Sequence, residues 1–516
     1  MTVQLDHAPR ADLMPTGLGG RLAWYFEHRP LQFFYWVLLG QVLLWTLIPV
    51  LLFRSQSLDM IENIAWSRDL QLGYYKHPPL QVWTVELGLR VFGGAVWPLF
   101  LLGPAAIAAT FIPIFLMGRQ IGDERAGLLA VLLFSLVFYA NIAAPEFNAN
   151  IVQLPIWAWA AFVFWRAIER NRMGWWVLLG LLLSLAVYAK YSAAILVLTL
   201  IVAGLTQPLG RARLRSAGPY LATAISLLLS APHFYWLWQS GWLPVTYAVE
   251  RADELSALGR FMRPIGFTAV QILDHIAALA VLAIGGGAWA GRSTVGAVSF
   301  TAEPSIRRYV TVLAVAPIGI SALISTVTGE GLRDMWGAPM IVWLSLALLL
   351  WIRPVYVQRR LPAMLGAWLA LFVATPLALG FASLLGPAIG AAPLRTAWPS
   401  PELAQQLTAI WREETGKPLK LVAGDTWESG LVSTYSPDAP SVFVQAIPRI
   451  NPWVDAERIA RDGVLVVWNA ALPYPFMPYE SLGPFTATGE VTAPFGPASK
   501  VPAVHFRWAI RPPQPS

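Results

Sequence analysis

The sequence lacks cysteine altogether and has few charged residues, which make up 13% of its 516 positions. The absence of cysteine excludes disulfides, thiolate metal sites, iron–sulfur clusters and cysteine nucleophiles. An average soluble domain carries about 25% charged residues, so the low charge argues against a soluble protein. The sequence also lacks a glycine-rich phosphate loop and an internal repeat, so it does not indicate nucleotide binding or an inverted-repeat transporter.

Apolar residues dominate instead, at 56% of the chain, with a mean hydropathy of +0.56. A 56.7 kDa protein has too little interior to bury so much apolar surface, so lipid must solvate much of it. The pattern predicts a polytopic α-helical membrane protein with about eleven transmembrane helices. The predicted spans are residues 31–53, 96–117, 126–143, 150–165, 174–189, 191–207, 217–238, 268–290, 309–327, 337–352 and 362–386.

The net charge of +7 comes mainly from arginines in the short connections between apolar runs. Clusters such as Arg211, Arg213 and Arg215 follow every second run, which the positive-inside rule explains if the N-terminus is cytoplasmic. With eleven spans the C-terminal segment then lies outside. No basic stripe interleaved with aromatics occurs in a water-soluble segment, so we expect no nucleic-acid partner.

The character of the chain changes near residue 395, where charge and proline increase. We therefore predict a transmembrane domain over residues 1–394, with outer loops at 54–95 and 239–267, and a small α+β domain over residues 395–516. The second domain would lie outside the membrane. Its predicted elements are a helix at 401–415 and strands at 419–425, 441–445, 463–469 and 503–510.

The predicted outer loop 54–95 carries the first group of candidate site residues. Asp59 could act as a general base, or bind a divalent cation together with Glu62. Arg68, Lys76 and His77 offer donors for a phosphate group. The alternative is an outer loop with solvated charges, in which Pro78 and Pro79 only stop the chain.

Two further polar residues occur at the outer ends of apolar runs. Lys190 interrupts the apolar stretch 174–207, where a lysine is costly unless it reaches water or an anion. The stretch is too long for one span, so it would cross twice, with Lys190 at the turn. His233 ends the run 217–238 and is either an interfacial, hydrogen-bonded histidine or a site residue.

Several motifs together resemble the polyprenyl-phosphate-sugar-dependent glycosyltransferases of the GT-C fold, the group that includes lipid A aminoarabinose transferase and the protein O-mannosyltransferases (glycosyltransferase families 39 and 83). An acidic residue after the first span precedes the sequence Gly-Tyr-Tyr-Lys-His-Pro-Pro-Leu at 73–80. The loop 146–150 reads Glu-Phe-Asn-Ala-Asn, and 331–336 reads Gly-Leu-Arg-Asp-Met-Trp. The resemblance covers the layout of the whole chain.

The resemblance implies a role for each matching residue. Asp59 falls at the catalytic aspartate, and the donor phosphate would contact Lys76, His77, Lys190 and Arg333. The remaining substrate-binding candidates are Glu62, Arg68, Tyr75, Glu146, Asn148, Asn150 and His233. Lys76 stands where the family has an acidic metal ligand, and Met60 follows Asp59 where a second acid is common. A divalent cation, Mg or Mn held by Asp59 and Glu62, is therefore undecided, and no other cofactor is expected.

The implied activity is inverting transfer of a sugar from a polyprenyl-phosphate donor to a lipid or glycolipid acceptor, with Asp59 as base. The acceptor would be lipid A, lipopolysaccharide or another envelope lipid. The location would be the periplasmic face of a bacterial inner membrane. Two alternatives remain: a transporter or flippase of a lipid-linked or anionic substrate, and a scaffold whose outer domain binds a partner. The sequence leaves the sugar and the oligomeric state open.

Overall fold

The structure is a computed structural model that describes residues 14–250, 256–286, 303–352, 358–471 and 479–514. Parts of the predicted outer loop 239–267 and of the predicted span 268–290 lie outside these residues. Helices make up most of the described chain, and five strands follow near its C-terminal end.

The α-helices fall into a long first group and a short second group. The first group is α1 Leu18–His28, α2 Pro30–Leu52, α3 Leu58–Ser67, α4 Leu80–Val91, α5 Leu102–Ile121, α6 Glu124–Phe134, α7 Gln153–Arg170, α8 Met173–Ala189, α9 Ala193–Leu205, α10 Pro208–Leu214, α11 Ala217–Gln239, α12 Leu243–Glu250, α13 Ala257–Leu273, α14 Ile276–Ile284, α15 Pro304–Thr328, α16 Leu344–Ile352 and α17 Leu361–Ile389. The second group is α18 Ser400–Thr415, α19 Thr426–Tyr435 and α20 Ala456–Asp462.

Within the described ranges, four helical stretches are long and apolar enough to cross a membrane by themselves: Pro30–Leu52, Trp97–Ile121, Pro304–Thr328 and Leu361–Ile389. Three further candidates are pairs of helices bent at a short break, which gives up to seven spans if each pair counts once. A helix or a bent pair occurs at each of the predicted runs, but several are shorter than a bilayer requires. In particular, α6 has 11 residues, although the sequence predicts a span over 126–143.

Large apolar side chains cover the outside of these helices. Leu51 is 76% exposed, Leu228 is 74% exposed and Val327 is 69% exposed. Exposed aliphatic residues over several long helices are unfavourable in water and favourable in lipid. Together with the apolar helices, this surface identifies the chain as a membrane-embedded protein.

The predicted loop 54–95 is mostly helical, because it contains α3 and α4. Residues Met60 to Ser67 of α3 are buried, which follows from its apolar positions Met60, Ile61, Ile64 and Ala65. Asp59 lies in the first turn of this helix, where the helix dipole favours a carboxylate. Asp59 is therefore held by a packed helix, whereas the alternative interpretation of the sequence was a loop with solvated charges.

The C-terminal part forms one five-stranded sheet from β1 Leu421–Gly424, β2 Ser441–Val444, β3 Val464–Asn469, β4 Ala487–Ala493 and β5 Val504–Arg511. The strand order is β2-β1-β3-β5-β4, with β1 parallel to β2 and β3, and with β5 antiparallel to β3 and β4. This sheet with α18, α19 and α20 is the predicted α+β domain.

The first polar segment and the C-terminal domain share one hydrophobic core. Trp66 and Tyr74 stack with ring centroids 4.8 Å apart, and both belong to the cluster that includes Trp411 of α18. A half-buried ion pair joins Asp69 Oδ1 to Arg458 Nη1 at 3.0 Å. The C-terminal domain is thus packed directly against the segment that carries Asp59.

Candidate active site

A chain of hydrogen bonds connects Asp59 to Lys190 through the loop 146–150. Asn148 Nδ2 donates to Asp59 Oδ2 at 2.9 Å, and Lys190 Nζ donates to Asn150 Oδ1 at 2.6 Å. The backbone N–H of Asn150 in turn donates to Asn148 Oδ1 at 2.9 Å. One short loop therefore orients a carboxylate from α3 and an ammonium group from the α8–α9 turn.

Local bonds keep this loop in place. Asn148 Oδ1 also accepts from the backbone N–H of Ile151 at 3.0 Å, as a side-chain cap does at the start of a helix. Asn63 Nδ2 of α3 donates to the Phe147 carbonyl at 3.2 Å. Since Asn148 uses its oxygen for the backbone, its amide nitrogen faces Asp59. The Asn-x-Asn spacing thus serves two separate contacts.

The side chain of Glu146 is a second carboxyl group near Asp59. The Asp59 backbone N–H favours the ionised form of the Glu146 carboxyl group, and the Asp59 carboxylate opposes it. Burial, and then the nearby Asp59 charge, raise the pKa of Glu146 from 4.5 to about 7. Glu146 therefore holds a proton more readily than an ordinary glutamate does.

Lys76 is paired with Glu62, which follows Asp59 by three residues in α3. The Lys76 Nζ atom lies 2.5 Å from Glu62 Oε1, and the ammonium also lies 5.2 Å from the Tyr75 ring centroid. Burial opposes the charge on Lys76, but the Glu62 carboxylate outweighs it and raises the pKa of Lys76 above its usual value. Burial also raises the pKa of Glu62 in spite of the Lys76 charge, so mutual attraction holds the ion pair against the cost of burial.

This pairing does not fit a divalent cation bound by Asp59 and Glu62. A cation at Glu62 would have to displace the Lys76 ammonium, which already neutralises that carboxylate. Hard cations also take about six oxygen ligands. In the described ranges, no group of three or more His, Cys, Asp or Glu side chains has metal-binding geometry.

His77 follows Lys76 in the same turn, whose Tyr74 N–H donates to the His77 carbonyl at 3.0 Å. Burial, together with the charges of Lys190 and Lys76, lowers the pKa of His77 to about 3. His77 is therefore a neutral imidazole at physiological pH. As a neutral group it can donate or accept a hydrogen bond but adds no charge to the site.

A cavity of about 360 Å³ opens beside Asp59, between α3 and the C-terminal domain. Its lining is Leu58, Asp59, Glu62, Tyr75, Lys76, Tyr247, Arg395, Asp425, Thr426, Trp427 and Gln445. Five of these residues belong to the segment after α17 or to the C-terminal domain. The domain therefore contributes directly to the candidate site.

Arg68 and Arg333 are two of the predicted site residues that do not line that cavity. Arg68 Nη2 donates to the Ser433 carbonyl of α19 at 3.3 Å, so it attaches the polar segment to the C-terminal domain. Arg333 is exposed in the segment 331–336, near Trp336, whose ring centroid lies 5.8 Å from Lys190 Nζ. Their assignments to substrate remain predictions.

His233 is fully buried in α11 and supports the motif at residues 73–80. The Leu72 carbonyl lies 2.7 Å from its Nδ1 atom, and the ring stacks on Trp236. Gly73 is needed here because a Cβ at that position would overlap the Trp236 ring. This contact agrees with the hydrogen-bonded alternative for His233, and its assignment to substrate stays a prediction.

The sequence did not indicate the cavity residues Arg395, Asp425, Trp427 and Gln445. Asp425 directly follows β1, and Gln445 directly follows β2. Carboxyl ends of neighbouring parallel strands are common ligand sites. The sequence places Asp425 and Gln445 after two predicted strands, but it does not show that these strands, β1 and β2, are parallel neighbours.

Comparisons with known proteins agree with this fold. Residues 76–236 match the family described as dolichyl-phosphate-mannose-protein mannosyltransferase. The chain is 24% identical to the lipopolysaccharide core galacturonosyltransferase RgtA of Rhizobium johnstonii, over 82% of the chain and 83% of RgtA. It is 26% identical to the lipid A galacturonosyltransferase RgtD of the same organism, over 38% of the chain and 42% of RgtD.

Among solved structures, the apo state of ArnT from Cupriavidus metallidurans superposes with a TM-score of 0.50 at 14% identity. The match covers 93% of this chain and 97% of ArnT. It extends through both the membrane helices and the C-terminal domain. Fold and relatives together identify the chain as a membrane glycosyltransferase of the GT-C fold.

Proposed function

We propose that the protein transfers galacturonic acid from a polyprenyl-phosphate donor to lipid A or the lipopolysaccharide core. The sugar and the acceptor are those in the names of the relatives RgtA and RgtD. The donor class is that in the description of the matching family, which names a dolichyl phosphate. The reaction would take place at the periplasmic face of a bacterial inner membrane, on which the arginine pattern of the sequence also places the C-terminal domain.

The observation that carries this proposal is the hydrogen-bond chain from Asp59 to Lys190. Asn148 holds the carboxylate, and Asn150 holds the ammonium group, within one five-residue loop. Transfer from a sugar phosphate needs a base for the acceptor hydroxyl and a cation for the leaving phosphate. The loop orients an aspartate from α3 and a lysine from the α8–α9 turn for these two tasks, and Asp59 lines a cavity that can hold a sugar.

In the proposed step, Asp59 removes the proton of the acceptor hydroxyl while that oxygen attacks the anomeric carbon of the sugar. The bond between this carbon and the phosphate oxygen breaks at the same time, and the polyprenyl phosphate leaves with the electron pair. Lys190 stabilises the charge of the leaving phosphate. A single displacement from the opposite face inverts the anomeric configuration.

Lys76 has a different part in this proposal. Its charge is already balanced by Glu62, so the pair forms part of the cavity wall beside the Tyr75 ring and offers no free cation to the phosphate. A divalent cation held by Asp59 and Glu62 does not fit the pairing. We therefore propose that transfer requires no such cation.

The full-length protein, purified in detergent, provides the test. We expect it to transfer galacturonic acid from polyprenyl-phosphate galacturonic acid to a lipid A acceptor and to make no use of a nucleotide-linked sugar. Nuclear magnetic resonance of the product should show the anomeric configuration opposite to that of the donor. Retained configuration, use of the nucleotide sugar, or movement of the lipid across vesicles without sugar transfer would each refute the proposal.

A further inference from the structure

The cavity beside Asp59 is completed by Arg395, a residue at the junction between α17 and the C-terminal domain. We propose that Arg395 binds the carboxylate of the transferred sugar and thereby makes the enzyme selective for a hexuronic acid. The inference rests on the function proposed above and assigns its sugar specificity to one side chain. It also gives the C-terminal domain a role in substrate recognition.

The first argument is charge. Two cations line the cavity, Lys76 and Arg395. Lys76 is paired with Glu62 at 2.5 Å, whereas Arg395 forms no ion pair with a carboxylate anywhere in the described ranges. Arg395 acts on carboxyl groups only at longer range, where its charge favours the ionised forms of Glu146 and Glu428. It is therefore the cavity cation whose N–H groups have no direct carboxylate partner in the described ranges.

The second argument is the shape of the guanidinium group. Arg395 lies over the Trp427 ring with its Cζ atom 5.4 Å from the ring centroid, and Trp398 packs edge-on against Trp427 at 5.5 Å. Stacking uses the flat face of a guanidinium and leaves its N–H groups for a partner in the plane. Two parallel N–H groups match the two oxygens of a carboxylate, which a single ammonium does not.

The third argument is a fixed backbone. The Thr396 carbonyl accepts from the N–H groups of Arg54 at 2.9 Å and Ser55 at 3.0 Å. The hydroxyl groups of Thr396 and Ser383 lie 2.8 Å apart. These bonds attach the turn of Arg395 to the segment that leads into α3, so the guanidinium is held relative to Asp59 although its side chain is exposed.

The acidic residues of the cavity explain why this cation is needed. A sugar carboxylate would be repelled in most of the cavity, because the lining includes the acidic residues Asp59, Glu62 and Asp425. Asp425 already accepts from Gln445 Nε2 at 3.1 Å and is not neutralised by that amide. Only the region of Arg395 attracts a negative group, so a uronate would bind with its carboxylate toward the C-terminal domain. Its anomeric carbon would then face Asp59.

The test compares two donors that differ only at this group: polyprenyl-phosphate galacturonic acid and polyprenyl-phosphate galactose. For Arg395→Gln we expect kcat/KM with the uronic acid donor to fall about 10- to 150-fold, the usual effect of losing a charged hydrogen-bond partner. The value with the galactose donor should stay near that of the unmodified protein. Arg395→Lys keeps the charge without the paired N–H groups and should lose less with the uronic acid donor.

The matched control is Arg507→Gln, which removes an exposed arginine of the same domain that is paired with Glu490 at 2.8 Å outside the cavity. It should leave kcat/KM with both donors unchanged.

If Arg395→Gln loses the same factor in kcat/KM with both donors, at an unchanged unfolding temperature, the inference is overturned, because Arg395 would then act on the phosphate. Failure of the unmodified protein to transfer galacturonic acid would instead refute the proposed function itself. If Arg395→Gln does not fold, a loss confined to the uronic acid donor in Arg395→Lys supports the inference, and equal losses refute it.

Discussion

Replacing Asn148 by alanine would remove the contact that orients Asp59. The substitution deletes the bond from Nδ2 to Asp59 Oδ2 at 2.9 Å, and it also deletes the oxygen that accepts from the backbone N–H groups of Asn150 and Ile151. A hydrogen bond to a charged group contributes about 1.5–3 kcal/mol. Since about 1.4 kcal/mol corresponds to a factor of ten, kcat/KM should fall about 10- to 150-fold.

Asn148→Asp separates the two roles of this side chain. An aspartate can still accept the backbone N–H groups of Asn150 and Ile151, but it offers Asp59 a second negative charge instead of a donor. A like charge at hydrogen-bonding distance raises the pKa of a carboxyl group. The rate of this variant should therefore be low and should reach its maximum at a higher pH than the rate of the unmodified protein.

The measurement is sugar transfer by purified protein at several pH values, together with the unfolding temperature of each variant. If Asn148→Asp transfers sugar at the normal rate with the normal pH profile, Asn148 does not orient the base. If Asn148→Ala loses activity only in proportion to a lower folded fraction, the residue supports the loop and nothing more. Either result would refute the reasoning.

Three further predictions concern charge and metal. Burial raises the pKa of Glu428 from 4.5 to about 7, so its contribution to stability is fully present below pH about 4.5 and is lost as the pH rises through about 7. Glu428→Gln should therefore be as stable as the unmodified protein at pH 4.5. At pH 8 its free energy of unfolding should be higher by up to roughly 3 kcal/mol, which a higher unfolding temperature would report. Equal stability of the two proteins at pH 8 would contradict this prediction. Treatment with EDTA should leave the transfer rate unchanged, because Lys76 occupies the Glu62 carboxylate; a loss that Mg²⁺ or Mn²⁺ restores would show that a cation binds after all. His77→Asn should keep the shape of the pH–rate profile between pH 5 and 8, because the pKa of His77 is lowered to about 3; the disappearance of an ionisation in that range would assign it to His77.

The sequence predicted much of the fold because the physical signals were local. Apolar runs locate the membrane helices, and four of the five strands coincide with predicted runs, β5 extending one residue beyond its run. Strand β4 was missed because its sequence, Ala-Thr-Gly-Glu-Val-Thr-Ala, has little apolar character at the sheet edge. Helix α19 was missed because its residues, which include Thr426, Trp427 and Val432, have low helix propensity and form a helix through packing on α3.

The site was only partly accessible from sequence. The sequence motifs identified four of the candidates, and in the structure hydrogen bonds connect them: Asp59, Asn148, Asn150 and Lys190. Arg395 lies more than 300 positions from Asp59 along the chain, and no local pattern marks it. Its proximity depends on how the C-terminal domain packs on α3. Such long-range packing is a property of the folded chain, so only the structure reveals it.

The number of spans shows the same limit. Hydropathy predicts about eleven crossings, but it does not reveal where a helix bends. Residues Ala193–Leu205 and Pro208–Leu214 form one apolar stretch bent by 119°, and the stretch around Leu344 is bent by 62°. Breaks at Pro208 and near Pro339 account for such bends, because proline removes a backbone donor.

Sugar transfer by Asp59→Asn tests the role of the catalytic carboxylate most directly. Asparagine retains the size and one oxygen of aspartate but cannot take up the proton of the acceptor hydroxyl, so transfer should fall about 10²- to 10⁴-fold. The control is Asp455→Asn, which changes the cap of α20 to another favourable cap residue and should leave transfer unchanged. Asp59→Asn protein that is folded and transfers sugar at the rate of the unmodified protein would contradict the assignment of Asp59 as the base.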